Sequence, residues 1–383
     1  MDIKNLRIIS RTWTMGIKTA IPNKDKCCRC GIRRSELRND DLQSYKGEPY
    51  CEECRIFVFF FCDECSQKFP IEQGMDFDGD SFCKQCHKKV SDMEHDPDEI
   101  DEDDVIKPHW YKPKPRFLSM GPKPKDGLFF GIELELEVRE DCGARKVANE
   151  VLSTLGKKNF YAKGDGSIYH GFELVSHPFT IEWWNDKGKP LLSKAMEETG
   201  GFFDDGKEHV GLHVHLSKEA FTRFHLRKFL EFFYAIDNRR FIDEIANRKS
   251  NYAKFDLEHY GTPKTAEDRR RKESKKLCAI SRSSIAGSKY QAVNTRPGRT
   301  VEIRVFKSST RNETIDASIS FCHAAFCFSK EAGLTSLDWS DFLSWLWMTN
   351  ENKYRSLRSL IANNERLYRT SLPNLCQEIV NIR

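Results

Sequence analysis

The sequence predicts an α+β protein in two parts: a small double zinc-binding module, then a larger domain of strands with packed helices. Three observations carry this. Eight of the 14 cysteines form four C-x2-C pairs within residues 27–90. Beyond about residue 127, apolar and polar residues alternate at 129–138, 171–176, 210–216 and 300–306, as on strands with one face in a core. Helical spacing of apolar residues appears in 218–248, in 313–332 and in two runs after 336.

A chain of 383 residues with 39% hydrophobic content and 27 Phe has enough apolar material for two or three domains. Its formal net charge of +4 does not by itself call for nucleic acid or an anionic membrane. No apolar run approaches the roughly 20 residues of a membrane helix. The first residues, MDIKNLRIISRTWTMGIKTA, show no signal-peptide pattern, so a cytoplasmic setting is expected.

Residues 1–26 are an unassigned lead-in, and 27–90 hold the cysteine module. The next stretch, DMEHDPDEIDEDD (92–104), carries nine acidic residues and no Lys or Arg. KPHWYKPKPRFLSMGPKPK (107–125) follows, with five prolines and six basic residues. A self-repelling run joined to a proline-rich one reads as a linker over 91–126. The main domain then spans 127–335, and a helical segment packing on it occupies 336–383. Within the main domain, the polar and basic stretch 256–289 reads as a mobile loop.

Each half of the cysteine module has the spacing C-x2-C, 20 or 17 residues, C-x2-C. Zn²⁺ takes four tetrahedral thiolates, and paired C-x2-C turns supply them. Two structural zinc sites are expected, Cys27, Cys30, Cys51, Cys54 and Cys62, Cys65, Cys83, Cys86. Cys28 and His87 are less regular substitutes. Interleaved pairing stays open, although the short FVFF linker favours sequential sites. With few other apolar residues, metal would supply much of the folding energy. Closed zinc sites catalyse nothing, so the module reads as a recognition element.

The opening strand of the main domain, FFGIELELEV, sets Ile132, Leu134, Leu136 and Val138 on one face and Glu133, Glu135 and Glu137 on the other. GLHVHLS does the same with His213 and His215, and RTVEIRVF with Glu302 and Arg304. DGSIYHGFELVSHPF adds Asp165 and Glu173. A lone acid on such a strand is ordinarily solvated. Four strands carrying carboxylate, imidazole or guanidinium opposite their apolar faces would converge if they share a sheet. Converging carboxylates repel unless cations neutralise them, and oxygen-rich sites suit Mg²⁺. Arginines in the same cluster point to a phosphate.

These residues resemble a known family. G-x-E-x-E (Gly131, Glu133, Glu135), an aspartate with a later G-x-E glutamate (Asp165, Glu173), G-x-H-x-H-x-S (Gly211 to Ser217) and R-x-x-E-x-R-x-F (Arg299, Glu302, Arg304, Phe306) fall in the order seen in glutamine synthetase-like carboxylate–amine ligases. That superfamily includes the glutamate–cysteine ligases, and the likeness is closest to its amidoligase branch of bacteria and phages. It covers roughly 127–335 and excludes the cysteine module.

The resemblance implies an antiparallel sheet curved into a funnel that binds ATP and two or more Mg²⁺. It implies Mg²⁺ ligands at Glu133, Glu135, Glu173, His213 and Glu302, with Asp165 a further one, although the family often has Glu there. Arg299 and Arg304 would grip the transferring phosphate, with His215 and Ser217 close by and Ser217 near the nucleotide. Asn294 and Lys163 are weaker candidates, and Glu137 has no counterpart and reads as solvated. The implied reaction is ATP-dependent carbon–nitrogen ligation through an acyl phosphate, on an amino-acid, peptide or protein substrate with a carboxylate and an amine. No nucleophile motif such as G-x-S-x-G is present, and none is needed.

Two other readings compete. RRRKESKK (269–276) and KPKPR could meet nucleic-acid phosphates, but the acidic run, the low net charge and the missing base-reading zinc-finger spacing count against that partner. An inactive ligase-like scaffold recruiting partners through its zincs is the other, and no gap in the motif set supports it.

Overall fold

A computed structural model describes residues 25–29, 33–36, 42–51, 54–55, 58–62, 65, 67–77, 80–91, 104–202, 210–255, 257, 265–282, 290–349 and 351–369. The chain divides into two units between Arg55 and Ile56. In the first, strands β1 (Leu42–Tyr45) and β2 (Glu48–Cys51) form a hairpin. Its turn residues Lys46 and Gly47 have φ of 50° and 80°, the left-handed pair that matches hairpin twist.

The second unit begins with two further hairpins, β3 (Phe59–Phe61) with β4 (Lys68–Pro70) and β5 (Met75–Phe77) with β6 (Asp80–Phe82), and helix α1 (Lys84–Ser91). There follow β7 (Ile106–Lys107), β8 (Phe130–Glu137), α2 (Ala144–Leu155), β9 (Phe160–Lys163), β10 (Gly171–Ser176), α3 (Ile181–Trp183), α4 (Lys189–Glu198) and β11 (Gly211–Ser217). Then come α5 (Arg223–Tyr234), α6 (Ile236–Ala246), α7 (Ala266–Arg282), β12 (Val293–Asn294), β13 (Thr300–Lys307), α8 (Asn312–Glu331), α9 (Trp339–Met348) and α10 (Arg355–Ala362).

Seven strands form one sheet in the order β12-β13-β11-β8-β10-β9-β7. The expectation of a purely antiparallel sheet needs correction. β7 runs parallel to β9, with Ile106 opposite Ala162, while the other pairs are antiparallel. A parallel neighbour needs a crossover, and here β8 and α2 intervene between the two strands. Residues 106–107, read from sequence as linker, thus edge the sheet. Asp104 just before them holds Arg145 of α2 through two hydrogen bonds of 3.0 and 3.1 Å.

The apolar face of the sheet carries Ile132, Leu134, Leu174, Val214 and Ile303, all with no exposure. Against it packs α8, in which every residue from Ile315 to Phe326 is buried. A helix buried all round must lie inside a domain. α9 also joins this core, since Phe342 meets the rings of Phe232, Phe321 and Phe328. The periodic run 218–248 is two helices because Ala235 is extended (φ −59°, ψ 126°).

A further correction concerns 256–289. Its middle is α7, which buries Leu277, Ala279 and Ile280 and receives a 2.8 Å hydrogen bond from Arg227 to Ser274 Oγ. The exposed basic residues at its start mask the apolar face that follows. Among the described residues no helix is long and apolar enough to cross a membrane.

Candidate active site

Strand register gathers the polar residues. Glu173 lies opposite both Lys163 and Glu135, His213 opposite Glu133, and Glu302 opposite both His215 and Asn294. Because alternate residues share a face, these groups occupy the side away from α8. The β11–β13 pairing slips between Leu212 and Val214, whose partners are Phe306 and Ile303. That bulge lets Arg304 keep to the polar side while Phe306 turns to the core, with its ring 6.2 Å from that of Phe321.

Glu133 is the hub. Its Oε1 lies 3.5 Å from His215 Nε2 and 3.9 Å from Lys163 Nζ, and its Oε2 lies 3.5 Å from His213 Nδ1. Lys163 Nζ also contacts Glu173 at 2.9 Å. Glu302 is held at both oxygens, by Arg304 at one and by a 2.7 Å hydrogen bond from Asn294 at the other. Two groups have ligand atoms all within 4.8 Å of one another: Glu133, His215, Glu302 and Glu133, Glu173, His213. Glu135 sits beside them with Oε2 accepting the Gly211 N–H at 2.6 Å and Oε1 3.5 Å from His213 Nε2.

The electrostatics follow from that crowding. Burial alone would raise the Glu133 carboxyl, but the His215 charge, both imidazoles and Lys163 hold it well below the usual range. Burial and the Glu133 charge push Glu173 well above it. For Glu302, Arg304 and the two histidines outweigh burial and lower the carboxyl. His215 is raised because Glu133 overcomes its burial. Its Nδ1 pairs with Thr300 Oγ1 at 3.1 Å, and its buried Nε2 faces Glu133 Oε1 at 3.5 Å, with no tighter hydrogen bond among the described residues. An imidazole fixed at one nitrogen with the other turned toward carboxylates is the donor arrangement a divalent cation uses.

Two cavities adjoin the cluster, and Glu133 lines both. The smaller, about 260 Å³, is polar and bounded by Lys163, Asp165, Glu173, Arg248, Tyr252 and Arg304. The larger, about 660 Å³, is mostly apolar, with His215, Ser217, Lys218 and Arg299 on one side.

Not every expected residue joins the cluster. Arg299 is exposed on the larger cavity and its guanidinium pairs with no other described residue. Arg304 lines the smaller cavity, five residues on and so about 16 Å along the strand. The two arginines therefore face different spaces. Ser217 holds the Phe129 backbone at both N–H (2.9 Å) and C=O (3.2 Å). Asp165 caps its own turn, accepting from Ser167 N–H at 2.7 Å. Glu137, expected to be solvated, is buried at 4% exposure, because the polar face of β8 is covered too.

Arg248 and Tyr252 were not singled out in the sequence. Arg248 Nη2 lies 3.9 Å from Glu135, and Tyr252 accepts from Arg304 Nε through its carbonyl at 3.2 Å. Both leave α6 in an irregular segment, where no periodicity marks a side chain.

The cysteines group by sequential halves. Cys62, Cys65, Cys83 and Cys86 bring four sulfurs within 4.8 Å of one another, beside Phe60 and Phe82. In the first unit Cys27, Cys51 and Cys54 converge likewise, and Cys30 lies outside the described residues.

The sequence matches the family model described as "Putative amidoligase enzyme" over residues 145–326, just under half the chain. The match takes in Glu173, His213, His215, Glu302 and both arginines, and stops short of Glu133 and Glu135. None of the curated proteins matches the chain. Among solved structures the chain is similar to the ligase PafA in its complex with the prokaryotic ubiquitin-like protein Pup. The identity is 10% and the TM-score 0.30, covering 66% of this chain and 67% of that one. The residues and the family match make this chain similar to the amidoligases.

Proposed function

We propose that the second unit is an ATP-dependent carboxylate–amine ligase acting on an amino-acid, peptide or protein substrate. The observation that carries this is the pair of ligand groups sharing Glu133, set between an apolar and a polar cavity. The amidoligase family match over 145–326 supports the same class.

The residues fit Mg²⁺: oxygen and imidazole donors converge, with His215 Nε2 turned toward Glu133 at 3.5 Å. Glu133, Glu173, Glu302, His213 and His215 would hold the ions, with Glu135 and Asp165 beside them. Bound Mg²⁺ supplies charge neutralisation for the phosphates. In this reading the nucleotide occupies the larger cavity, with Arg299 free to pair with its phosphates. The smaller cavity takes the carboxylate, between Arg248 and Arg304.

A carboxylate oxygen attacks the γ-phosphorus and ADP leaves. The amine then attacks the acyl carbon, phosphate leaves, and the amine proton passes to a basic group or water. The chain's task is positioning. Asn294 and Arg304 fix Glu302, and Gly211 N–H fixes Glu135, so the cluster is set before substrate arrives. The converging cysteines, Cys62, Cys65, Cys83 and Cys86 in one group and Cys27, Cys51 and Cys54 in the other, would hold two structural Zn²⁺.

Thermal shift with Mg·ATP tests the reading. Wild type should be stabilised and Glu302→Gln should lose the shift. No stabilisation of wild type by any Mg·nucleotide would sink it.

A further inference from the structure

The larger cavity has a wall that lies outside both the expected 127–335 domain and the matched residues 145–326. Residues 108–118 run across the end of the sheet as a strap containing Pro108, Pro113 and Pro115. Prolines fix φ and donate no hydrogen bond, so such a segment is stiff without ladder pairing. It is pinned at its C-terminal end. Arg116 N–H donates to His177 Nδ1 at 3.4 Å, Leu118 N–H to Pro178 O at 2.8 Å, and Thr180 N–H to Leu118 O at 3.0 Å. Tyr111 packs edge-on to Tyr161 at 5.6 Å, and Phe117 edge-on to Phe129 at 4.8 Å.

The result is a cavity walled by Pro113, Pro115, Phe117, Phe129, Tyr161 and His177. Phe117 is 60% exposed although it is a large apolar ring. Its backbone neighbours are tied down, so the ring is held in place without being covered. The other side of the cavity is charged. Lys218 Nζ donates to Thr295 O at 2.7 Å and Pro297 O at 2.5 Å, fixing the loop that presents the exposed Arg299. An aromatic wall on one side and an exposed guanidinium beside a carboxylate–imidazole cluster on the other suit a planar base bearing an anionic tail.

Resting on the ligase reading, the geometry points to the strap, and Phe117 in particular, as the wall against which the base of the nucleotide stacks. The strap thereby belongs to the catalytic unit. Phe117 is a positioning residue; it touches no reacting atom.

The test compares Mg·ATP with Mg·tripolyphosphate, which has the charge but no base, by equilibrium binding to the full chain. Phe117→Ala should weaken Mg·ATP about tenfold, the scale of a lost base–aromatic contact, and leave Mg·tripolyphosphate unchanged. Phe117→Tyr should restore Mg·ATP binding. Unchanged Mg·ATP affinity in Phe117→Ala, or an equal loss for both ligands, overturns the strap assignment and leaves the ligase reading standing. No binding of Mg·ATP to wild type overturns the ligase reading itself. Melting of each variant separates a binding effect from unfolding, which the exposure of Phe117 makes small.

Discussion

The Arg248 guanidinium lies against the backbone of Gly211, so closely that a β-carbon at Gly211 would fall 1.7 Å from Nη1. The same glycine donates its N–H to Glu135, and Arg248 Nη2 lies 3.9 Å from that carboxylate. Gly211 thus leaves room for a buried cation beside the acidic cluster. Gly211→Ala should expel Arg248 and destabilise the protein by about 1–3 kcal/mol, the usual cost of overpacking. Arg248→Met, which keeps much of the volume without the charge, should instead weaken carboxylate-substrate binding in the smaller cavity. Equal substrate affinity in Arg248→Met and wild type would remove Arg248 from the site.

The bidentate pairing of Asp104 with Arg145 marks where the folded sheet begins. A chain starting at residue 104 should keep edge strand β7, the strap and nucleotide binding. A chain starting at 127 loses the Tyr111–Tyr161 and Phe117–Phe129 contacts and the Leu118–Pro178 hydrogen bond. Apolar burial alone makes that loss about 3 kcal/mol or more. Urea melts of the two truncations check it; equal midpoints would return the strap to a mere linker.

Four convergent sulfurs at Cys62, Cys65, Cys83 and Cys86 are expected to hold one zinc, and the first unit another. Elemental analysis should give two zincs per chain, falling to one in Cys83→Ser. A metal-free protein that melts normally would leave the cysteines as packing residues.

Two buried histidines set an acid limit on stability. Burial, helped by the Lys353 charge, lowers His323 to about 3, and burial, with its hydrogen bond to Phe326 O opposing, lowers His225 to about 4. The unfolded chain takes up these protons near pH 6.5, so between there and the folded values it binds more protons than the native state. Stability from His323 is complete above pH 6.5 and falls as pH drops, by about 2 kcal/mol at pH 5. His323→Gln should flatten that slope in pH-dependent urea melts. An unchanged slope would mean that His323 is protonated in the fold.

Glu133, Glu173, His213 and Glu302 were legible because a strand's period of two is written in its sequence, and four such periods occur in one chain. Period says which face a side chain takes, and sequence did not show where along the sheet that face leads. Arg299 and Arg304 therefore read as a pair, yet they line separate cavities. The β11–β13 bulge that parts Arg304 from Phe306 leaves no mark on the alternation. Arg248 and Tyr252 sit in irregular backbone, and α7 hides its apolar face behind exposed arginines.

By itself the sequence determined the local order: the C-x2-C pairs, the four alternating strands, the buried helix α8 and the order of the motifs. Tertiary structure alone decided which neighbours those elements found. It placed Lys163 across Glu173, brought His215 Nε2 to Glu133, and folded a proline-rich stretch onto the sheet as a cavity wall. The reason is physical. Alternation and helical spacing are properties of consecutive residues, whereas register, bulges and cavities arise from contacts between segments far apart in the chain.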